Sequence, residues 1–309
     1  KIKMAFASQT TLNTTDAAVF IPELWSDEVI AAYKANLVFA NLVTRMNHVG
    51  KKGDTVHIPT PDRASASAKA ADAGVTLINS DAESEVTISI NKHYEYSRLI
   101  EDILEKQAVS SMRGFYTDDA GYALAKQVDT DLWTTTYALQ GGDGAAAYHG
   151  DKAVIGSDGS TLFSSSQAGV AIADAGLRKV IQTLDDSDIP LDNRVLIVPP
   201  VEKKNLTGIA RFTEQAFSGE AGGANTIRSG LIGDLYGVPV YVSTNAPTNN
   251  SSRACFLGHK SAIALVEQLG IRTQTQYKQE YLGDLFTADT IYGVGELRNA
   301  GGVVIAVPT

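Results

Sequence analysis

Two short runs with strand period, set on either side of a stretch with almost nothing to bury, constrain this chain more than any other feature. In Thr55-Val56-His57-Ile58 apolar residues alternate with polar ones, and the alternation resumes at Val86, Ile88 and Ile90. Lys51-Lys52-Gly53-Asp54 reads as the turn that enters the first run, and Pro59 and Pro61 end it. Residues 62–85 between them begin Asp-Arg-Ala-Ser-Ala-Ser-Ala-Lys and close on Asp-Ala-Glu-Ser-Glu, with few large apolar groups. Such a two-stranded excursion is marginal in water on its own. A stretch this long without an element of its own is uncommon in a compact domain unless it has a task. Two readings follow: a surface loop without fixed structure, or an arm that becomes ordered by lying on a neighbouring subunit.

The rest of the chain reads as a mixture of helices and strands. Residues 8–19 are rich in Ser, Thr, Asn and Ala and read as an arm. Pro22-Glu23-Leu24-Trp25 opens a short helix with Trp25, Val29 and Tyr33 on one face. Residues 100–105 read as a short acidic turn or helix. Ser111 to about Leu139 reads as one long helix, with Ala120, Leu124, Val128 and Leu132 recurring every four residues. Asp118, Asp119, Lys126, Asp129 and Asp131 lie off that stripe, and Gly141-Gly142 stops the helix. Residues 141–167 form a Gly/Ser/Asp-rich link.

A second amphipathic helix carries Ala173, Leu177, Val180, Ile181 and Leu184 and is broken by Asp185-Asp186-Ser187-Asp188. Arg194–Val198 is a buried strand ended by Pro199-Pro200, and a helix covers 201–206. Residues 217–230 are again Gly/Ser-rich. Strands are expected at 237–242 and 254–257, a short helix or turn at 261–268, and extended sequence at 271–281 and 289–297. A terminal strand spans 303–307. Strands and helices do not alternate regularly, so the fold class is α+β.

Composition narrows the function. With 309 residues, 44% of them hydrophobic, the chain can bury a sizeable core. Its net charge of −9 gives no general basic field for nucleic acid or anionic membrane. No run of 18 apolar residues exists to span a bilayer, and Lys1-Ile2-Lys3 is followed by no signal-like apolar segment. Position 1 is not Met: either the start is processed, or Met4 is the first residue. Cys255 is the one cysteine, which excludes an internal disulfide and fits a reducing cytoplasm. Its apolar neighbours suit a small buried hydrophobe better than a catalytic thiol.

No motif assembles a reaction centre. The five histidines, His48, His57, His93, His149 and His259, show no metal-ligand spacing. Gly258-His259-Lys260-Ser261 ends like a phosphate loop but has Arg253 where the first glycine belongs. Gly293-x-Gly295 lacks a third glycine. The pairs Glu101-Asp102, Asp118-Asp119 and Asp185-Asp186 could hold a divalent cation, but such pairs more often form solvated faces or helix-end charges. Asn13, Asn205, Asn249 and Asn250 fit a glycosylation pattern that means nothing without a secretory signal. The expectation is a protein with no catalytic residues, no cofactor and no metal.

The element order resembles the major capsid proteins of tailed phages, the Johnson or Hong Kong ninety-seven fold. The residues that carry the resemblance are Gly53-Asp54-Thr55-Val56-His57-Ile58-Pro59 entering the extended loop and Val86–Ile90 leaving it through Tyr94-Glu95-Tyr96. The helix at 111–139 matches the family's spine. Arg194–Pro200, Gly233–Val240, Gly258–Leu265 and Tyr292–Gly295 match its later segments. The resemblance implies an N-terminal arm and first helix at 1–49 and an extended loop at 50–90. It implies a peripheral domain at 91–165 and 272–298, and an axial domain at 166–271 and 299–309. It implies pentamers and hexamers of this chain closing an icosahedral shell around double-stranded DNA, with no sequence-specific DNA contact and no membrane. The site is the virion, with assembly in the host bacterial cytoplasm.

Partners implied are a scaffolding protein, a portal protein and, in some members, a cement protein. A separate scaffold is expected because only about fifty residues precede the loop. Acidic character suits a lumen that does not trap phosphate. Some members lock the shell with a Lys–Asn isopeptide bond, for which Lys69 at the loop tip and Asn299 near the end supply the residue types; the plainer view is a solvated lysine and a turn asparagine. The competing readings are an encapsulin-type compartment shell, a tail or connector protein, and a soluble α+β enzyme with a deep pocket.

Overall fold

The computed structural model describes residues 38–60, 66, 68–69, 71–72, 74–75, 84–103, 112–137, 139, 153–163, 168–209, 233–249 and 251–309. The arm at 8–19, the helix around Trp25, Val29 and Tyr33, the stretch 217–230 and much of the 141–167 link lie outside them.

A short 3-10 turn, Phe39–Asn41, leads into strand β1, Thr44–Asn47. The expected hairpin follows. Strand β2, Thr55–Thr60, pairs antiparallel with β3, Ser84–Ser89, placing Val56 opposite Ile88 and Ile58 opposite Val86. Strand β4, Lys92–Glu101, continues past the point where a turn was expected, because Ile100 is buried in ladder with Asp284. The long helix is α1, Met112–Thr136.

Strands β11, Ile263–Lys278, and β12, Gly283–Glu296, form a long antiparallel pair. With β1 parallel on β11 and β4 antiparallel on β12 they make a four-stranded sheet, order β1-β11-β12-β4. Helix α1 packs on it through Ala120 and Leu124 against Phe286 and Ala288. The helix or turn expected at 261–268 is instead a 3-10 turn, Lys260–Ala262, and the opening of β11. Leu265 faces Trp133 and Tyr292, whereas Ala264 and Val266 face Ile88 and Ile90. A run buried on both faces loses the alternation that separates strand from helix.

The second sheet holds β5 (Val154–Ile155), β6 (Arg194–Val198), β7 (Asp234–Leu235), β8 (Val238–Val242), β10 (Ser252–His259) and β13 (Gly302–Pro308). Its order is β5-β13-β10-β6-β8-β7, with β9 (Thr248–Asn249) on β10. Helices α2, Asp174–Asp186, and α3, Pro200–Thr207, cover one face. Leu196, Val198, Cys255, Leu257, Ile305 and Val307 point that way, into a core with Leu177, Val180, Leu184 and Leu206. Their neighbours Ile197, Phe256, Val304 and Ala306 point the other way, to Leu132, Trp133 and Phe39 of the other layer. This double burial is why Arg194–Val198 reads as one apolar run.

Helix α2 ends at Asp186, where the acidic run was expected to break it; Asp185 pairs with the buried Arg194 at 2.7 Å. The Arg194 guanidinium also donates to the carbonyls of Pro190 and Ile189. Asp129 and Asp131 are not on a solvated face. Both are buried, because their partners come from distant segments. Asp129 accepts from the Phe39 N–H at 3.1 Å and from Asn245 at 2.9 Å. Asp131 accepts from the Tyr292 hydroxyl at 2.7 Å and lies 3.3 Å from Lys92 Nζ.

Candidate functional site

The hairpin is anchored at one end only. At its base Ile88 and Ile90 are buried against Ala264 and Val266, with Met46, Val56, Ile58 and Ile291 around them. Full burial of a side chain such as Ile88 contributes about 1.5–3 kcal/mol. Gly293 permits the crossing: a Cβ there would sit 2.5 Å from the Ser89 carbonyl oxygen. The side chain of Gln268 clamps the entry turn by donating to the carbonyls of Lys51 and Gly53. Away from the base the described residues of the hairpin are exposed. Thr60, Ser84, Glu85, Lys69 and Val75 are exposed, and the His57–Glu85 pair at 3.1 Å is exposed on both sides.

A second exposed surface lies at the far end of the four-stranded sheet. Asp102 N–H donates to the Leu282 carbonyl, and Tyr277 donates its hydroxyl to Asp102, which gathers Ile103, Tyr277, Tyr281 and Leu282. Ile103, Tyr281 and Leu282 are 60%, 62% and 65% exposed. Contiguous exposed apolar groups on a soluble subunit mark an interaction surface.

Several of the other residues singled out in the sequence are engaged structurally. His259 accepts the Ser261 N–H at 3.1 Å and lies 2.7 Å from its hydroxyl, so Gly258–Ser261 is a capped turn and not a phosphate cradle. Burial holds the His259 imidazole below the usual histidine range. Asp119 accepts from the Tyr96 hydroxyl, Asp102 from Tyr277, and Asp185 from Arg194. Cys255 is buried in β10, where burial, with Glu202 nearby, pushes its thiol up. His149 lies outside the described residues. Among the described residues no three His, Cys, Asp or Glu side chains are placed to hold a metal ion. A cavity of about 290 Å³ lies between α1 and β11, lined by Ala40, Val128, Asp129, Leu265, Ile271 and Tyr292. Its volume is at the low end for a ligand site, and the carboxylate in its wall is already bonded to Phe39 and Asn245. Lys69 and Asn299 are both exposed, Lys69 within the hairpin excursion and Asn299 in a 3-10 turn before β13.

Comparison with known proteins follows this geometry. The sequence profile of the family described as "Phage capsid protein" matches residues 101–305. This chain belongs to that family. A solved structure from Mycobacterium phage Che8 is 26% identical and superposes with a TM-score of 0.74, covering 93% of this capsid protein and 97% of that chain. The capsid structure of the cyanophage P-SCSP1u superposes at 0.73 with 16% identity, covering 99% and 100%. The mature capsid of bacteriophage PhiM1 superposes at 0.72 with 13% identity, covering 98% and 97%. These last two share the fold. No curated protein matches the sequence. The fold is thus the mixed α and β Johnson type expected, and this protein is a structural subunit of a phage capsid shell. No helix of the described residues is long and apolar enough to cross a membrane.

Proposed function

We propose that copies of this chain form pentamers and hexamers that close into an icosahedral shell around a double-stranded DNA phage genome. The observation that carries this is the hairpin: an apolar base packed in its own subunit and, among the described residues beyond it, exposed side chains that a neighbouring copy would cover. The exposed end at Ile103, Tyr281 and Leu282 supplies a second contact, between neighbouring rings. Head-to-tail contacts of this kind close into rings. The working units are the arm and first helix at 1–49, the loop at 50–90, the peripheral domain at 91–165 and 272–298, and the axial domain at 166–271 and 299–309. Strand β11 runs through the boundary at 271 and so links the last two. A scaffolding protein, a portal and, as in some members of the family, a cement protein are the further partners, assembly takes place in the host cytoplasm, and the subunit carries no catalysis of its own.

The test is particle size. The chain is expressed with and without a candidate scaffold, sedimented, and the fast fraction imaged by electron microscopy. Closed shells, tubes or five- and six-membered rings support the reading; a stable monomer under both conditions overturns it. DNA recovered from native particles, rather than a cargo enzyme, separates a virion from an encapsulin-type compartment. In a crosslinked shell, Lys69 Nζ of one subunit attacks the Asn299 side-chain carbonyl of another and expels ammonia. Boiled particles then run as a ladder that Lys69→Arg collapses; wild-type particles running only as monomer exclude the bond.

A further inference from the structure

The Asp129 carboxylate is almost fully buried, at 1% exposed, and each of its oxygens holds a different part of the chain. Oδ1 accepts the Phe39 N–H at 3.1 Å. Phe39 opens a 3-10 turn whose own N-cap, Val38, offers no side-chain bond, and a first-turn N–H has no partner inside its helix. Asp129 caps that turn from the spine helix. Oδ2 accepts from Asn245 Nδ2 at 2.9 Å. Asn245 lies in the loop between β8 and β9, where Ser243 donates its N–H to the Val198 carbonyl of β6. One rigid group thus ties the turn before β1 to a loop of the other sheet.

Both bonds come from neutral donors, and among the described residues no cation pairs with Asp129. The charged groups around it are engaged elsewhere. Arg45 and Glu267 pair with each other at 3.4 Å. On the spine helix Asp131 is held by Tyr292 and Lys92, and Lys126 is exposed. Beside the loop Arg253 donates to the Thr244 carbonyl. Burial raises the Asp129 carboxyl above its usual range despite its two bonds. The same carboxylate lines the cavity of about 290 Å³ between α1 and β11, with Arg45 and Glu267 in the wall as well. Strand β11 shifts register twice there, between Glu267 and Leu269 and between Leu269 and Arg272, and sets Gly270 and Ile271 in the cavity wall. Such bulges re-aim a strand locally and leave room beside it.

We propose that Asp129 is one latch for two segments: when its carboxylate turns into the cavity, the turn at Phe39 and the loop at Asn245 are released together. The two oxygens share one plane, so rotation cannot break one bond and keep the other. Withdrawal of Asn245 leaves Oδ2 buried without a donor, a costly state that a turn toward the cavity relieves. That turn takes Oδ1 away from Phe39. A raised carboxyl means that the latched form binds its proton more tightly than the released form. The latch is therefore firmest below the usual aspartate value of about 3.9 and weakens as pH rises through the folded value. It is a property of the single chain and does not depend on the shell.

Two measurements on the full, unassembled chain test it. In a pH titration followed by NMR, the Phe39 backbone amide and the Asn245 side-chain amide of the wild type are expected to shift with one shared midpoint, above the usual aspartate value. Asp129→Asn is expected to abolish that titration at both ends. The wild-type titration needs no variant to fold. Asn245→Ala is expected to speed hydrogen exchange of the Phe39 amide at least about tenfold, with the Leu196 and Ile197 amides of β6 changed less than about twofold. Separate midpoints at the two ends, or a titration at one end alone, overturn the latch. So does Phe39 exchange that stays at the wild-type rate in Asn245→Ala, or that rises only in step with β6.

Discussion

The Tyr292 hydroxyl donates to the Asp131 carboxylate across 2.7 Å and so bolts β12 to the spine helix inside the core. Burial and this bond to a carboxylate hold the Tyr292 phenol well above its usual range, so it stays a donor at every working pH. Tyr292→Phe leaves Asp131 with Gln127 and Lys92. The expected loss is about 1–3 kcal/mol of stability, read as a lower midpoint in denaturant. An unchanged midpoint would show that the bond adds nothing beyond packing.

Glu202 gives a pH signature of one sign. It is buried, accepting the Ile172 N–H at 2.7 Å and Asn205 at 3.1 Å, and burial raises its carboxyl above the usual range despite those bonds. A raised carboxyl contributes stability that is fully present below the usual glutamate value of about 4.3 and is lost as pH rises through the folded value. Glu202→Gln removes that dependence. The difference in melting temperature, variant minus wild type, is therefore expected to be more positive at pH 7 than at pH 4. A difference independent of pH would refute the assignment.

Asp289 gives the opposite sign. Arg272 grips it with two bonds at 2.8 and 2.9 Å, and these hold its carboxyl below the usual range. Its contribution is present above the usual aspartate value of about 3.9 and is lost as pH falls through the depressed one. Arg272→Ala is expected to flatten the acid limb of the unfolding curve below about pH 4, where wild type loses this contribution. Parallel acid limbs in the two proteins would count against it.

Ile88 separates anchorage from folding of the body. It is fully buried at the hairpin base. Ile88→Ala is expected to cost about 2–5 kcal/mol where packing is tight. Proteolysis should then cut the loop of the unassembled chain faster at 50–90 while the two sheets survive. Uniform digestion of the whole chain would mean that the hairpin is no separate unit.

Elements built from near neighbours were legible from residue patterns. The β2–β3 pairing follows from alternation at Val56, Ile58, Val86 and Ile88, and α1 from the stripe Ala120, Leu124, Val128 and Leu132. What sequence reading missed depends on distance along the chain. Asp129 and Asp131 lie off the apolar stripe and their burial is not legible there, because Phe39, Asn245 and Tyr292, which bond to them, lie 90, 116 and 161 residues away. The start of β11 was hidden because Ala264 and Leu265 are covered from opposite sides. The place of β4 as the last strand of its sheet among the described residues belongs to the sheet order and to no local string. Lys69 and Asn299 were visible as residue types, but a bond between them is set by the placement of neighbouring subunits, which one chain does not encode locally.

Gly293 makes the path of the hairpin a single-residue choice. A Cβ there would sit 2.5 Å from the Ser89 carbonyl oxygen, so any other residue would push β3 and β12 apart. How closely the returning strand of the loop rides over the sheet is therefore set by the absence of one carbon atom.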